Sequence, residues 1–245
     1  DRFLKEKGFD KAFPTVDDLT RSMGNVSFYY QGRIIENIRI SNTVDAYAVN
    51  GWESMKLENH SGIVDNYRFP KGDPEVMARY NAPLYLAVKM NRKVVSTGDT
   101  TLVDTYIVNE KNLKGSYILN LVAKDESGNV VASHKERVTV KGGNDYGQCL
   151  QSGWAFIPKS KGYTRIEASL LKGKTELVKG DDLLFAVELN TTGITTRGSV
   201  ADTTGALVNF LRGVGMEVPV YKGGTPEGDY LLVGAYEPTQ WGSGM

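Results

Sequence analysis

Apolar positions along the chain fall into three successive patterns. In residues 1–42 they recur at helical spacing: FPTVDDLTRSMG sets Thr15 three residues before Asp18, a capping-box start, with Gly24 as a stop signal. A second helix is predicted at about 28–40 from Phe28, Ile34, Ile35 and Ile38. TVDAYAVN then reads as a short apolar strand ending at the turn dipeptide Asn50-Gly51. GDPEVMARYN predicts a short helix, with Asp73 as N-cap and Pro74 in the first helical position.

The period changes at Pro83. LYLAVKM, TTLVDTYIVN, GSYILNLVAKD, VVASHKERVTV, YTRIEASLL and DLLFAVEL are rich in Val, Ile, Leu, Tyr and Thr, and several alternate apolar with polar. Turn-forming runs separate them: Asp125 to Asn129, Gly142 to Asp145 and Lys172 to Lys174. Regular short strands with turn signals predict an antiparallel β-sandwich of roughly 110 residues. Trp154, Phe156, Tyr85, Tyr106 and Tyr117 sit at strand spacing and are expected in its packing, or as a stacking platform for carbohydrate. After Asn190, SVADTTGALVNFLRGVGMEVPVY reads as a helix leading into a strand. GDYLLVGAY follows as a buried strand, an α/β signal.

Composition narrows the function classes. Lys plus Arg and Asp plus Glu each total 29 among 245 residues, so the balance gives no footprint for nucleic acid or an anionic membrane. No run approaches the ~20 apolar residues of a membrane-spanning helix. The single cysteine, Cys149, is expected as a small core hydrophobe. With two histidines and one cysteine there is no ligand cluster for zinc. The glycines near 142 and 223 fit neither phosphate-loop order, so no metal or other cofactor is expected. Asp1 in place of an initiator Met, and a close on Trp241-Gly-Ser-Gly-Met245, set the expectation of a piece of a longer polypeptide.

The candidate chemistry lies in GWESMKLENHSGIVDNYR, which presents Trp52, Glu53, Glu58, Asn59, His60 and Asp65 in quick succession. Together with FPKGDPEVMARYNAPLYLAVK, this run resembles the end of the catalytic barrel in family 2 glycoside hydrolases, nearest to the β-galactosidase-like members. VVSTGDTTLVDTYIVNEKNLKGSYILNLVAKDESGNVV resembles the immunoglobulin-like sandwich that follows it, and YGQCLQSGWAFIPKSKGYTRIEASLLKGKTELVKGDDLLFAVEL would complete that sandwich. The resemblance is strongest over 44–140. It implies a mixed fold: residues 1–80 the C-terminal, mostly helical part of a (β/α)8 barrel, 81–192 an immunoglobulin-like β-sandwich, and 193–245 the start of a C-terminal α/β domain.

The resemblance implies a retaining exo-β-glycosidase acting on terminal β-linked sugars, with galactose the first guess, in the periplasm or outside the cell. Two carboxylic acids about 5–5.5 Å apart would flank the glycosidic bond, both of them glutamates on the fourth and seventh barrel strands. Residues 1–42 hold no strand ending in a glutamate, Glu36 being mid-helix. Both catalytic residues are therefore expected upstream of Asp1, in the remainder of the parent polypeptide, and none in this chain. Trp52 would be the aromatic floor of the sugar subsite, or a cover on the barrel core. Glu53, Asn59 and His60 would bind sugar hydroxyls, or Glu53 and Glu58 would be solvated loop charges. Asp65 with Asn66 and Arg68 would close the barrel end. The alternative is a non-catalytic sandwich module that binds carbohydrate or spaces domains.

Overall fold

A computed structural model describes residues 1–49, 51–53, 62–189, 191, 193–194, 197–225 and 228–235. The chain packs as two compact units, residues 1–186 and 187–245.

The first unit has three layers. Its middle layer is a three-stranded antiparallel sheet of β1 (Leu84–Met90), β3 (Thr101–Asn109) and β6 (Gly147–Phe156), in the order β1-β3-β6. Facing it is a five-stranded sheet of β2 (Val94–Ser96), β4 (Gly115–Lys124), β5 (Val130–Val140), β7 (Gly162–Lys172) and β8 (Thr175–Val187), in the order β2-β8-β7-β4-β5. Leu86, Val88, Val103 and Ile107 of the first sheet meet Leu119, Leu121, Ile166, Leu170 and Leu184 of the second in one core. The β-sandwich expected from the strand pattern is thus formed. The Asp125 turn joins β4 to β5, with the Asp125 carboxylate accepting from the Asn129 amide at 2.8 Å.

β1 reads as a continuous apolar run because both of its faces are buried. Leu86 and Val88 point into the sandwich core, while Tyr85 and Ala87 meet the helical layer. That layer is α2 (Val16–Ser41), preceded by a short α1 (Arg2–Glu6), and α3 (Pro74–Tyr80). Phe28, Ile35, Met77 and Tyr80 fill it. Full burial of each such side chain contributes on the order of 1.5–3 kcal/mol.

Both predicted caps form. Asp18 N donates to Thr15 Oγ1 and Thr15 N to Asp18 Oδ2, each at 3.1 Å, and the Asp73 carboxylate accepts from Glu75 N at 3.0 Å. The two separate helices do not: α2 runs unbroken for 26 residues. Gly24 is no stop. The backbone of residues 71–72 crosses the helix there, and a Cβ on Gly24 would lie 1.7 Å from the Lys71 carbonyl oxygen. Gly32 is bare for a similar reason, since a Cβ would fall 2.0 Å from the Tyr80 ring.

The predicted strand TVDAYAVN is also absent over its described residues, 43–49, and Asn50 lies outside the described set. Asn42 ends α2 in the left-handed region at φ 55°. Its side chain exchanges two hydrogen bonds with the Gly147 backbone, at 2.6 and 2.7 Å. Residues 43–49 join no ladder, and the Tyr47 hydroxyl donates to Asn81 at 2.7 Å. Nor is Cys149 in the core. It occupies an outward position of β6 opposite Tyr106 and is exposed.

A buried charge cluster joins the layers. Arg33, on α2, pairs with Glu36 on its own helix at 3.1 Å and with Asp182 on β8 at 2.9 Å, and donates to the Val88 carbonyl of β1 at 3.0 Å. Glu36 also accepts from the Tyr85 hydroxyl at 2.7 Å and pairs with Lys89 at 3.2 Å. Asp182 accepts from Tyr29 at 2.8 Å and pairs with Lys93 at 2.6 Å. Both carboxylates are wholly enclosed. Burial, reinforced by Glu36, pushes the Tyr85 hydroxyl up, and burial, reinforced by Asp182, does the same to Tyr29. Burial pulls Lys89 and Lys93 down. Arg39 ties the helices to the sheet, donating to the carbonyls of Tyr80 and Ala82 and pairing with Glu110 at 2.7 Å.

The second unit is small. Parallel strands β9 (Gly198–Ala201) and β10 (Tyr230–Val233) flank α4 (Ala206–Gly213) in sequence; β9 occupies the start of the segment read as a helix, and MEVPVY, expected as a strand, forms only an isolated bridge between Val220 and Val200. Asp202 closes the start of α4, accepting from Leu207 N at 2.7 Å and Val208 N at 3.1 Å.

Two outcomes follow from the helix–sandwich joint. Gly32→Ala should lower stability by about 1–3 kcal/mol, because overpacking against Tyr80 outweighs the roughly 1 kcal/mol gain in helix propensity; a urea midpoint equal to or above wild type would contradict this. Tyr85 holds its proton in the folded state above pH ~10, where the unfolded chain has lost it. Its contribution is complete below that pH and declines above it by about 1.4 kcal/mol per pH unit. Above pH ~10.5 the lowered lysines no longer oppose this decline. Urea unfolding of Tyr85→Phe from pH 9 to 11.5 should show a shallower alkaline decline than wild type, on a stability at pH 7 reduced by about 1–3 kcal/mol for the orphaned Glu36 contact.

Candidate functional site

The described part of the candidate loop is anchored by its backbone. Trp52 O accepts from Ile63 N at 2.9 Å and Val64 N at 3.1 Å, and Glu53 and Val64 form a parallel bridge. Val64 is buried and bridges Pro70 in turn. The Asp65 carboxylate accepts from Tyr67 N at 2.8 Å and Phe69 N at 2.9 Å, fixing the turn in which Arg68 adopts φ 66°. The chain then crosses α2 at Gly24, where Asn25 accepts from Asp73 N at 2.6 Å.

This framework turns aromatic rings outward. Trp52 is 64% exposed, and Tyr67 and Phe69 more so. Between the loop and α2 lies an open groove of about 820 Å³, with Phe69, Pro70 and Lys71 on one wall and Thr20, Met23 and Ser27 on the other. Arg68 and Glu53 approach to 3.8 Å with both side chains solvated, a contact of little energetic weight. Aromatic faces beside a carboxylate and a guanidinium can hold a polyhydroxylated ligand through C–H stacking and hydrogen bonds.

Of the expected site residues, Trp52 and Glu53 are sequence neighbours on one bridged turn, and neither lines the groove. Glu58, Asn59, His60 and Trp241 lie outside the described residues. Asp65 acts as the turn's internal acceptor. Tyr67 and Phe69 escaped sequence reading, although the D-N-Y-R-F-P order, an Asp opening a turn that a proline closes, marks them. The buried cluster escaped it too. Its one sign was Glu36 standing inside the apolar run IIENI, where an unpaired charge would be costly.

The cluster does not qualify as a hydrolytic pair. Glu36 and Asp182 are enclosed and held by Arg33, Lys89, Lys93, Tyr29 and Tyr85, which leaves no face for a sugar. Among the described residues no group of three or more His, Cys, Asp and Glu side chains could hold a metal ion, and no helix is long and apolar enough to cross a membrane.

No protein-family model and no curated protein matches the chain. Solved structures do. A family 2 glycosyl hydrolase from Bacteroides cellulosilyticus is 15% identical over 47% of this chain and 16% of its own, at TM-score 0.34. A β-glucuronidase of glycoside hydrolase family 2 is 15% identical over 50% of this chain and 14% of its own, at TM-score 0.35. A putative β-galactosidase from Bacteroides fragilis is 10% identical over 49% and 19%, at TM-score 0.31. Over about half of its length the chain is thus similar to solved family 2 glycoside hydrolases and to that putative β-galactosidase, and it spans less than a fifth of the length of each.

Proposed function

We propose that the chain is a C-terminal part of a family 2 glycoside hydrolase of β-galactosidase-like type. Residues 1–80 are the end of its (β/α)8 barrel, 81–192 an immunoglobulin-like sandwich that braces the barrel, and 193–245 the start of a further α/β domain. The parent hydrolyses terminal β-linked sugars, galactose first among them, in the periplasm or outside the cell. Its two catalytic glutamates belong to the remainder of the polypeptide. This chain supplies one wall of the sugar site, with Trp52 as the stacking surface and Glu53, Asn59 and His60 toward the hydroxyls.

One observation carries the reading. Helix α2 is apolar on two faces. Phe28 and Ile35 pack against α3 and the middle sheet, while Met23, Val26, Tyr30 and Ile34 form a second stripe at three- and four-residue spacing, each 53–64% exposed. A helix apolar on both sides belongs between two bodies. In the outer ring of a barrel the sandwich covers one face and the barrel strands cover the other. The sequence resemblance over 44–140 points the same way.

The second reading, a non-catalytic sandwich that binds carbohydrate or spaces domains, draws on the enclosure of Glu36 and Asp182. Activity and titration separate the two. The chain alone should not turn over an aryl β-galactoside. A longer natural polypeptide containing it should do so, with Trp52→Ala lowering kcat/KM roughly 10- to 100-fold, about 1.4–2.7 kcal/mol of transition-state stabilisation. Turnover by the chain alone that is lost on changing Glu53 or Glu58 would overturn the assignment of the chemistry to other residues. Saturable quenching of tryptophan fluorescence by galactosides that survives Trp52→Ala but not Trp154→Ala would instead favour the module.

A further inference from the structure

The outer face of the five-stranded sheet carries a row of side chains that neither the core nor the Trp52 rim uses. Lys135 of β5 stands opposite Asn120 of β4, Asn120 opposite Ser169 of β7, and Ser169 opposite Lys179 of β8. Residues paired in this way share a face, so the four form a line across the strands. Their chain neighbours Leu119, Leu121, Ala168 and Leu170 point into the core, which turns the line to solvent. Arg137, also exposed, follows Lys135 by two residues on the same side of β5. Asn120, Ser169 and Lys179 border a depression of about 520 Å³ that Arg79 of α3 also lines.

The carboxylates of this face are few and mostly taken. In the next row Glu167 pairs with Lys124 at 2.7 Å, and Asp181 pairs with Arg79 at 2.5 Å and also with Arg165. Glu176 is the third acid. Lys135, Arg137 and Lys179 have no carboxylate partner among the described residues. Six cations thus stand against three acids on one face of a chain whose charges balance overall. Lys135 and Lys179 lie about 14 Å apart, three strand spacings of roughly 4.8 Å. A single carboxylate or phosphate cannot touch both, so the matching ligand is extended and repeats its negative charge. Asn120 and Ser169, between the lysines, are neutral and can both donate and accept, as hydroxyls between the charges require. The row holds no aromatic ring to stack a nucleic-acid base and no apolar anchor of the kind on which a protein interface centres.

We propose that this face binds an acidic polysaccharide, a polymer of uronic acids, with Lys135, Arg137 and Lys179 at its carboxylates and Asn120 and Ser169 at its hydroxyls. The surface is separate from the Trp52 rim, and its charge argues for it whether or not the family reading holds. Titrating the chain into fluorescein-labelled polygalacturonate, followed by anisotropy, tests it. Binding should saturate, weaken from about 50 to about 200 mM NaCl, and resist competition by neutral galactan. Lys135→Gln combined with Lys179→Gln should raise the dissociation constant tenfold or more, while arginine at both positions keeps it within threefold. Lys5→Gln with Lys7→Gln, the same loss of charge on α1, should leave it within twofold. Thermal unfolding checks that each variant is folded, and Arg137→Gln decides if the double glutamine variant is not. Absence of saturable binding would overturn the proposal, as would binding indifferent to the row variants, weakened equally by the α1 variant, or abolished by Trp52→Ala. Equal affinity for labelled polyglutamate or a single-stranded oligonucleotide, or full competition by galactan, would overturn it as well.

Discussion

Arg33 is the residue on which the first unit's arrangement turns. Its guanidinium reaches a carboxylate on its own helix, a carboxylate on the five-stranded sheet and a carbonyl on the three-stranded sheet. A planar group with five donors can serve three elements at once, whereas a lysine offers a single point charge. Two enclosed carboxylates would be strongly unfavourable without such a partner. Helix, middle sheet and outer sheet are therefore held in one geometry by a polar contact, not by apolar packing alone. The rim that carries Trp52 inherits its position from that geometry through the crossing of α2 by residues 71–72.

Much of the fold was legible in the sequence because it rests on local chemistry. Thr15 with Asp18, Asp73 with Pro74, and the alternating strands after Pro83 all declare themselves within a few residues, and the structure has them. The misreadings share a cause. Gly24 looks like a helix stop until a distant backbone segment is known to lie against it. TVDAYAVN has strand composition, but over residues 43–49 it joins no ladder, the chain being held instead by Asn42 at Gly147 and by Tyr47 at Asn81. Cys149 was assigned inward by residue type, whereas alternation along β6 turns it out. In each instance tertiary context overrides local preference.

The site was less legible than the fold. Trp52 and Glu53 could be singled out by residue type, and they do share one bridged turn. Tyr67 and Phe69 depend on the Asp65 turn for their outward pose. The pairing of Arg33 and Glu36 with Asp182 spans most of the first unit's sequence, so no window along the chain contains it. The row on the outer sheet face is equally non-local, since Lys135, Asn120, Ser169 and Lys179 come from four different strands.

The crossing of α2 by residues 71–72 has a consequence for how this protein can vary. Two backbones meet there with no side chain between them, and a Cβ on either Gly24 or Gly72 would intrude on the other segment. Side-chain contacts can be retuned by exchanging one volume for another, but this contact has no volume to trade. Drift at either position would lever the aromatic turn away from the helix, so the two glycines form a coupled pair that related chains keep together or lose together.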